Sequence, residues 1–128
     1  MDSNNIKNIR ESDNKNNKKF ISYSDFEKID VRVGTVVRVE DFPNAKKPAF
    51  KLWIDFGVLG IKKSSAQITK LYDKEDLVGK QVIAVVNFPP KQVADFLSEV
   101  LVLGVVLDDK EVVLLQPERV VPNGKRIL

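Results

Sequence analysis

Residues 49–57, AFKLWIDFG, alternate between apolar and polar side chains. In an extended chain Phe50, Leu52, Ile54 and Phe56 point one way, and Lys51, Trp53 and Asp55 point the other. A period of two is the signature of a strand with one buried face. The stretch VRVGTVVRVE, 31–40, repeats the pattern. Val31, Val33, Thr35, Val37 and Val39 share one side; Arg32, Gly34, Val36, Arg38 and Glu40 share the other. Gly34 within this run predicts a bulge or sharp coil, as barrel strands require. The loop FPNAKKP, 42–48, is bounded by two prolines and joins these two strands.

Further strands are predicted over 60–66, 81–88 and 111–115. The run EVLVLGVVL, 99–107, is almost wholly apolar, so it reads as a strand covered on both faces, by the core and by a second subunit. Helical signals are few. Ser24 and Glu27 have the spacing of a capping box opening a short helix. YDKEDLVGK, 72–80, has Asp73 as a cap and Gly79 as a stop. PPKQVADFL, 89–97, reads as a turn or short helix after two prolines. The end, QPERVVPNGKRIL, carries an Asn123–Gly124 turn and reads as extended and irregular. Five or six short strands with one helical turn between the third and fourth describe an all-β protein, a five-stranded Greek-key barrel of the OB-fold type with short helices.

The length suits one domain. Residues 1–22 hold six asparagines and few large apolar side chains, and are read as a disordered polar tail before a folded body at 23–128. The net charge of +3 divides into +2 on that tail and +1 on the body. An anion-binding surface on the body must therefore come from uneven placement of charge, and the tail could add a weak electrostatic assist to an anionic partner.

There is no histidine and no cysteine. Thiol nucleophiles, thiolate metal sites and imidazole metal sites are excluded, and no cofactor or metal is expected. A serine nucleophile would need Lys62 or Lys63 as the base for Ser64 or Ser65, and nothing else resembles an acyl-transfer site. Asp108–Asp109 and Glu75–Asp76 read as solvated surface charge. Gly57 and Gly60 lack the pattern of a phosphate loop. No stretch approaches the roughly 20 apolar residues needed to cross a bilayer, and the N-terminus lacks the apolar core of a signal peptide, so a cytoplasmic protein without membrane insertion is expected.

Three segments carry a more specific signal: KKSSAQITKLY, VIAVVNFPPKQVADFLSEVLVLG and VPNGKRI. Through them, and over about 24–128, the chain resembles the CsaA-type secretion chaperones, within the wider family of OB-fold tRNA-binding domains. DVRVGTV is similar to the opening strand of the wider family, and Asn87, Pro90, Lys91, Ser98 and Glu99 to its N-x-x-P-x-K…S-E segment. KPAFKLWIDFG and KKSSAQIT are more particular to the chaperone branch. The resemblance implies a non-enzymatic cytoplasmic homodimer with a C-terminal dimerisation extension, which holds precursor polypeptides before export and contacts the translocation ATPase. It also implies tRNA as an alternative partner.

The residues themselves supply two candidate sets. A basic surface with small polar donors suits single-stranded or looped RNA. Arg32, Lys46, Lys47, Lys51, Lys62, Lys63 and Lys91 would supply the charge; Ser64, Ser65, Gln67 and Asn87 would supply hydrogen bonds. The serines then act as polar partners beside lysines, not as nucleophiles. An exposed apolar surface suits unfolded polypeptide. Phe42, Phe50, Trp53, Phe88, Pro89, Pro90 and Phe96 are its candidates, with Phe42 and Phe96 expected to be the better exposed and Phe50 and Phe88 open to a core role. The C-terminal ERVVPNGKRI is expected to cross to a partner and cover its edge.

Overall fold

Strand β1, Val31–Asp41, is long enough to serve two neighbours. Its first half pairs antiparallel with β4, Gln81–Val85, and its second half with β2, Phe50–Asp55. Residues 19–128 are described in the computed structural model, so most of the polar tail read over 1–22 lies outside the described residues. β2 pairs in turn with β3, Ile61–Ala66, after a 3₁₀ turn at Gly57–Leu59, and β4 pairs with the short β7, Leu101–Val102. The sheet order is β3-β2-β1-β4-β7, a nearly closed five-stranded antiparallel barrel. Two ribbons complete it: β5 (Lys91–Val93) with β6 (Phe96–Ser98), and β8 (Gly104–Val106) with β9 (Val112–Leu114).

The alternation in β2 holds. Phe50, Leu52, Ile54 and Phe56 are buried, and Leu77, Val82 and Ala84 meet them in one core. Burying each large side chain of this set contributes roughly 1.5–3 kcal/mol. The alternation in β1 holds only to Val33. The register slips between Val36 and Arg38, leaving Val36 wholly buried and Val37 exposed. The expected bulge thus lies at Val37, not at Gly34. Gly34 answers another need: a Cβ there would lie 2.6 Å from Ile54 Cγ2 and 2.8 Å from the Phe56 ring.

Barrel closure between β3 and the far edge uses side chains as well as backbone. The Lys63 N–H donates to Glu99 Oε1 at 3.0 Å and the Ser65 N–H to Ser98 Oγ at 3.0 Å. The Lys63 carbonyl accepts the Glu99 N–H at 2.7 Å. The serine–glutamate pair thus stands in for part of a strand.

The first helix, α1 at Tyr23–Glu27, is capped by Ser22 with Asp25, two residues earlier than the expected Ser24–Glu27 box. The Ser22 backbone and the Lys28 ammonium hold the Asp25 carboxyl below its ordinary range. The second, α2 at Lys74–Leu77, begins at Asp73 as expected, and Gly79 follows it at φ 89°. Residues 89–97 are not helical: Pro89 and Pro90 lead into the β5–β6 hairpin, because the residue before a proline is pushed toward extended backbone. The C-terminus, expected to reach a partner, pairs with β1 of its own chain. Val33 N–H donates to the Lys125 carbonyl at 3.0 Å, and Gly124 and Ile127 donate to Val33 and Val31.

Candidate nucleic-acid and polypeptide interface

An open groove of about 1100 Å³ runs between the loop at 44–47, the β5–β6 hairpin and the β7–β9 segment. Its floor is apolar, including Ile68, Val100, Val102, Val112 and Leu114. Lys46, Lys47 and Lys91 stand on its rim, exposed. None of the three has an ion-pair partner among the described residues. Phe88, 52% exposed, and Pro89 form part of one wall, and Ser65 and Gln67 add polar groups. Asn44 Nδ2 donates to Asp95 Oδ2 at 3.2 Å, tying the loop to the hairpin tip. Seven expected site residues therefore meet here: Lys46, Lys47, Lys91, Ser65, Gln67, Phe88 and Pro89.

A second group lies on the outer face of β2 and β3. The register sets Lys51 opposite Ser65 and Trp53 opposite Lys63. Phe96 packs against Trp53 at 5.7 Å and against Phe42 at 5.6 Å, both edge-on. Three cations close over these rings. Arg38 lies 4.5 Å from the Trp53 centroid, Lys51 5.0 Å from Phe42, and Lys63 5.3 Å from Phe96. Arg38 is also paired with Glu40. Phe42 and Phe96, expected to be exposed, are 4% and 6% accessible and form a small second core with Ala49. The physical reason is the β5–β6 hairpin, which folds Phe96 onto Phe42. Phe50 belongs to the main core, and Phe88 is the aromatic left open.

The remaining expected residues are separated from both. Arg32 pairs with Asp30 at 2.6 Å and donates to the Gly124 carbonyl. Asn87 accepts the Asp30 N–H at 2.9 Å and donates to the Lys28 carbonyl at 2.7 Å, so its amide fastens the exit of α1 to the end of β4. Ser64 is wholly buried opposite Leu52 and donates to the Ser65 carbonyl at 3.0 Å. Lys62 shares the Ser64 side of β3, so the adjacent Lys62 and Lys63 point to opposite sides. Pro90 is exposed outside the groove.

Sequence reading missed Gln92 and Val93, which line the groove from β5. Their signal was the KQV–AD–FLS symmetry about a two-residue turn, masked by the two prolines. It also placed a second cover over 99–107, where Leu101, Val105 and Val106 are exposed on this chain.

Residues 31–126 match the family described as "Putative tRNA binding domain". The chain belongs to this tRNA-binding domain family. Among solved structures, the chaperone CsaA of Bacillus anthracis str. Ames is 57% identical, with a TM-score of 0.82 over 85% of this chain and 99% of that one. The CsaA chaperone protein of Picrophilus torridus is 55% identical, with a TM-score of 0.80 over 85% and 100%. Among curated relatives, the methionine–tRNA ligase of Nanoarchaeum equitans is 38% identical over 109 residues, covering 84% of this chain. The chain spans only 13% of that ligase. No helix among the described residues is long and apolar enough to cross a membrane.

Proposed function

We propose that this protein is a non-enzymatic chaperone that holds precursor polypeptides before export. The observation that carries the reading is the groove: an apolar floor, an open aromatic at Phe88, and a rim of lysines without ion-pair partners among the described residues. Such a surface accepts many sequences, because area and charge do not demand one shape. The likeness to CsaA chaperones along nearly their whole length supports it. The test is suppression of aggregation of a chemically denatured client by the full chain. Suppression at stoichiometric ratio is expected; aggregation unchanged at large excess overturns the reading.

The family membership and the outer face favour tRNA binding as a second reading. Trp53 is half-buried, with Arg38, Lys51, Lys63 and Ser65 about it on one surface. With roughly three to five phosphate contacts, log affinity for tRNA falls against log salt with a slope of about −2 to −4. A flat response excludes this mode.

The exposed apolar side chains Val105, Leu107 and Val113, which lie outside the groove, support a homodimer in which a second copy covers them. Light scattering after gel filtration measures that mass. A cytoplasmic location and contact with the translocation ATPase belong to the same reading.

A further inference from the structure

β6 occupies only one edge of β5. The turn between them has two residues, Ala94 and Asp95, which makes Val93–Phe96 a hydrogen-bonded pair. Pair types alternate along an antiparallel ladder. Gln92, opposite Leu97, is therefore a non-hydrogen-bonded pair, and its N–H and C=O point away from β6. Among the described residues no other backbone group takes them. Gln92 is exposed and lines the groove.

Folded proteins usually cover or blunt such an edge, because it templates the pairing of another chain. Here the loop at 44–47 stands across the groove instead of pairing. Lys46, Lys47 and Lys91 surround the same space without ion-pair partners among the described residues. Hydrogen-bonding capacity and charge thus ask for the same occupant: an extended chain that carries carboxylates.

We propose that β5 is a template edge, onto which a client polypeptide adds as a strand, with acidic side chains turned toward Lys46, Lys47 and Lys91. The proposal rests on the polypeptide-holding reading and names the client class: extended segments of alternating acidic and apolar residues. Main-chain pairing tolerates diverse sequences, as a holding protein requires. The apolar floor and the strand edge favour polypeptide over nucleic acid.

The test uses the full chain and fluorescence anisotropy of labelled peptides. An alternating Glu–Val peptide is expected to bind, and its Lys–Val counterpart to bind much more weakly, with the difference shrinking at high salt. Gln92→Pro deletes the donor on the free edge while leaving the β6 ladder intact. A Glu–Val peptide N-methylated at every residue cannot donate to the Gln92 carbonyl. Each change is expected to weaken binding about fivefold, the factor for one net hydrogen bond. The near-UV signal of Trp53, packed on Phe96, reports that the hairpin remains folded.

If Gln92→Pro and N-methylation change nothing while client aggregation is still suppressed, the template edge is wrong and the chaperone reading stands. If neither peptide binds and aggregation is not suppressed, both fall. If Gln92→Pro shifts the dimer equilibrium and leaves peptide affinity alone, the edge serves a second copy and the proposal is overturned. If replacing the three lysines by alanine abolishes tRNA binding and spares the Glu–Val peptide, the rim belongs to nucleic acid and the proposal is likewise overturned.

Discussion

On the outer face of β2 and β3, Arg38, Lys51 and Lys63 each sit over an aromatic ring, and the rings of Phe42 and Phe96 are buried against each other. Across the β5–β6 hairpin, Lys46, Lys47 and Lys91 project around an apolar floor, with Phe88 open beside them. Both regions are made of lysines and aromatics. In the first, the folded chain has already satisfied them, and they act as a brace between the hairpin and the barrel. In the second, the fold leaves the lysines and Phe88 to solvent. A lysine near a phenylalanine in sequence therefore says little; what matters is whether the fold has brought the two together.

The largest expected contrast between these regions is in their aromatics. Phe96→Ala should lower stability by about 3–5 kcal/mol, because it empties a packed site, whereas Phe88→Ala should change stability by less than about 0.5 kcal/mol and weaken client holding. Urea denaturation and the aggregation assay read the two effects, and equal destabilisation would break the comparison. Asn87→Ala should cost about 2 kcal/mol, since two hydrogen bonds go, with tRNA affinity preserved. Loss of tRNA binding at unchanged stability would return Asn87 to the binding surface.

Replacing Lys51 and Lys63 by Met should cost up to about 1 kcal/mol each through the lost ring contacts. Replacing Lys46, Lys47 and Lys91 by Ala should leave the melting temperature unmoved and flatten the salt dependence of client association. Ser64→Ala should cost about 1 kcal/mol or less and leave both client and tRNA binding intact, because its hydroxyl never reaches the surface.

The smallest effect lies away from both regions, at α1. The folded pKa of Asp25 is depressed by its hydrogen bonds to Ser22 and its contact with Lys28. Its contribution is therefore present above the unfolded carboxylate pKa and lost as pH falls through the lower folded value. Asp25→Asn should flatten that part of the acid titration of stability, measured by circular dichroism.

Much of the barrel was legible because its evidence is local. The alternation in AFKLWIDFG needs only the geometry of an extended chain, and β2 follows it residue by residue. The slip in β1 was legible only in part: Gly34 signalled a bulge within VRVGTVVRVE, but its place at Val37 is a relation between two strands. The hairpin was hidden because its strands are only three residues long, too short for a period to establish itself. Lys62 and Lys63 looked like a cluster in one dimension and are parted by the strand pleat.

The chain alone dictated the β class, the capped second helix and the exclusion of thiol and imidazole chemistry, since residue type and short-range spacing carry those facts. Folding decided that Ser64 is hidden, that Phe42 and Phe96 are packed, and that Phe88 and three lysines line an open groove. Exposure is set by neighbours distant in sequence, and closing the barrel through Ser98 and Glu99 is what selects those neighbours.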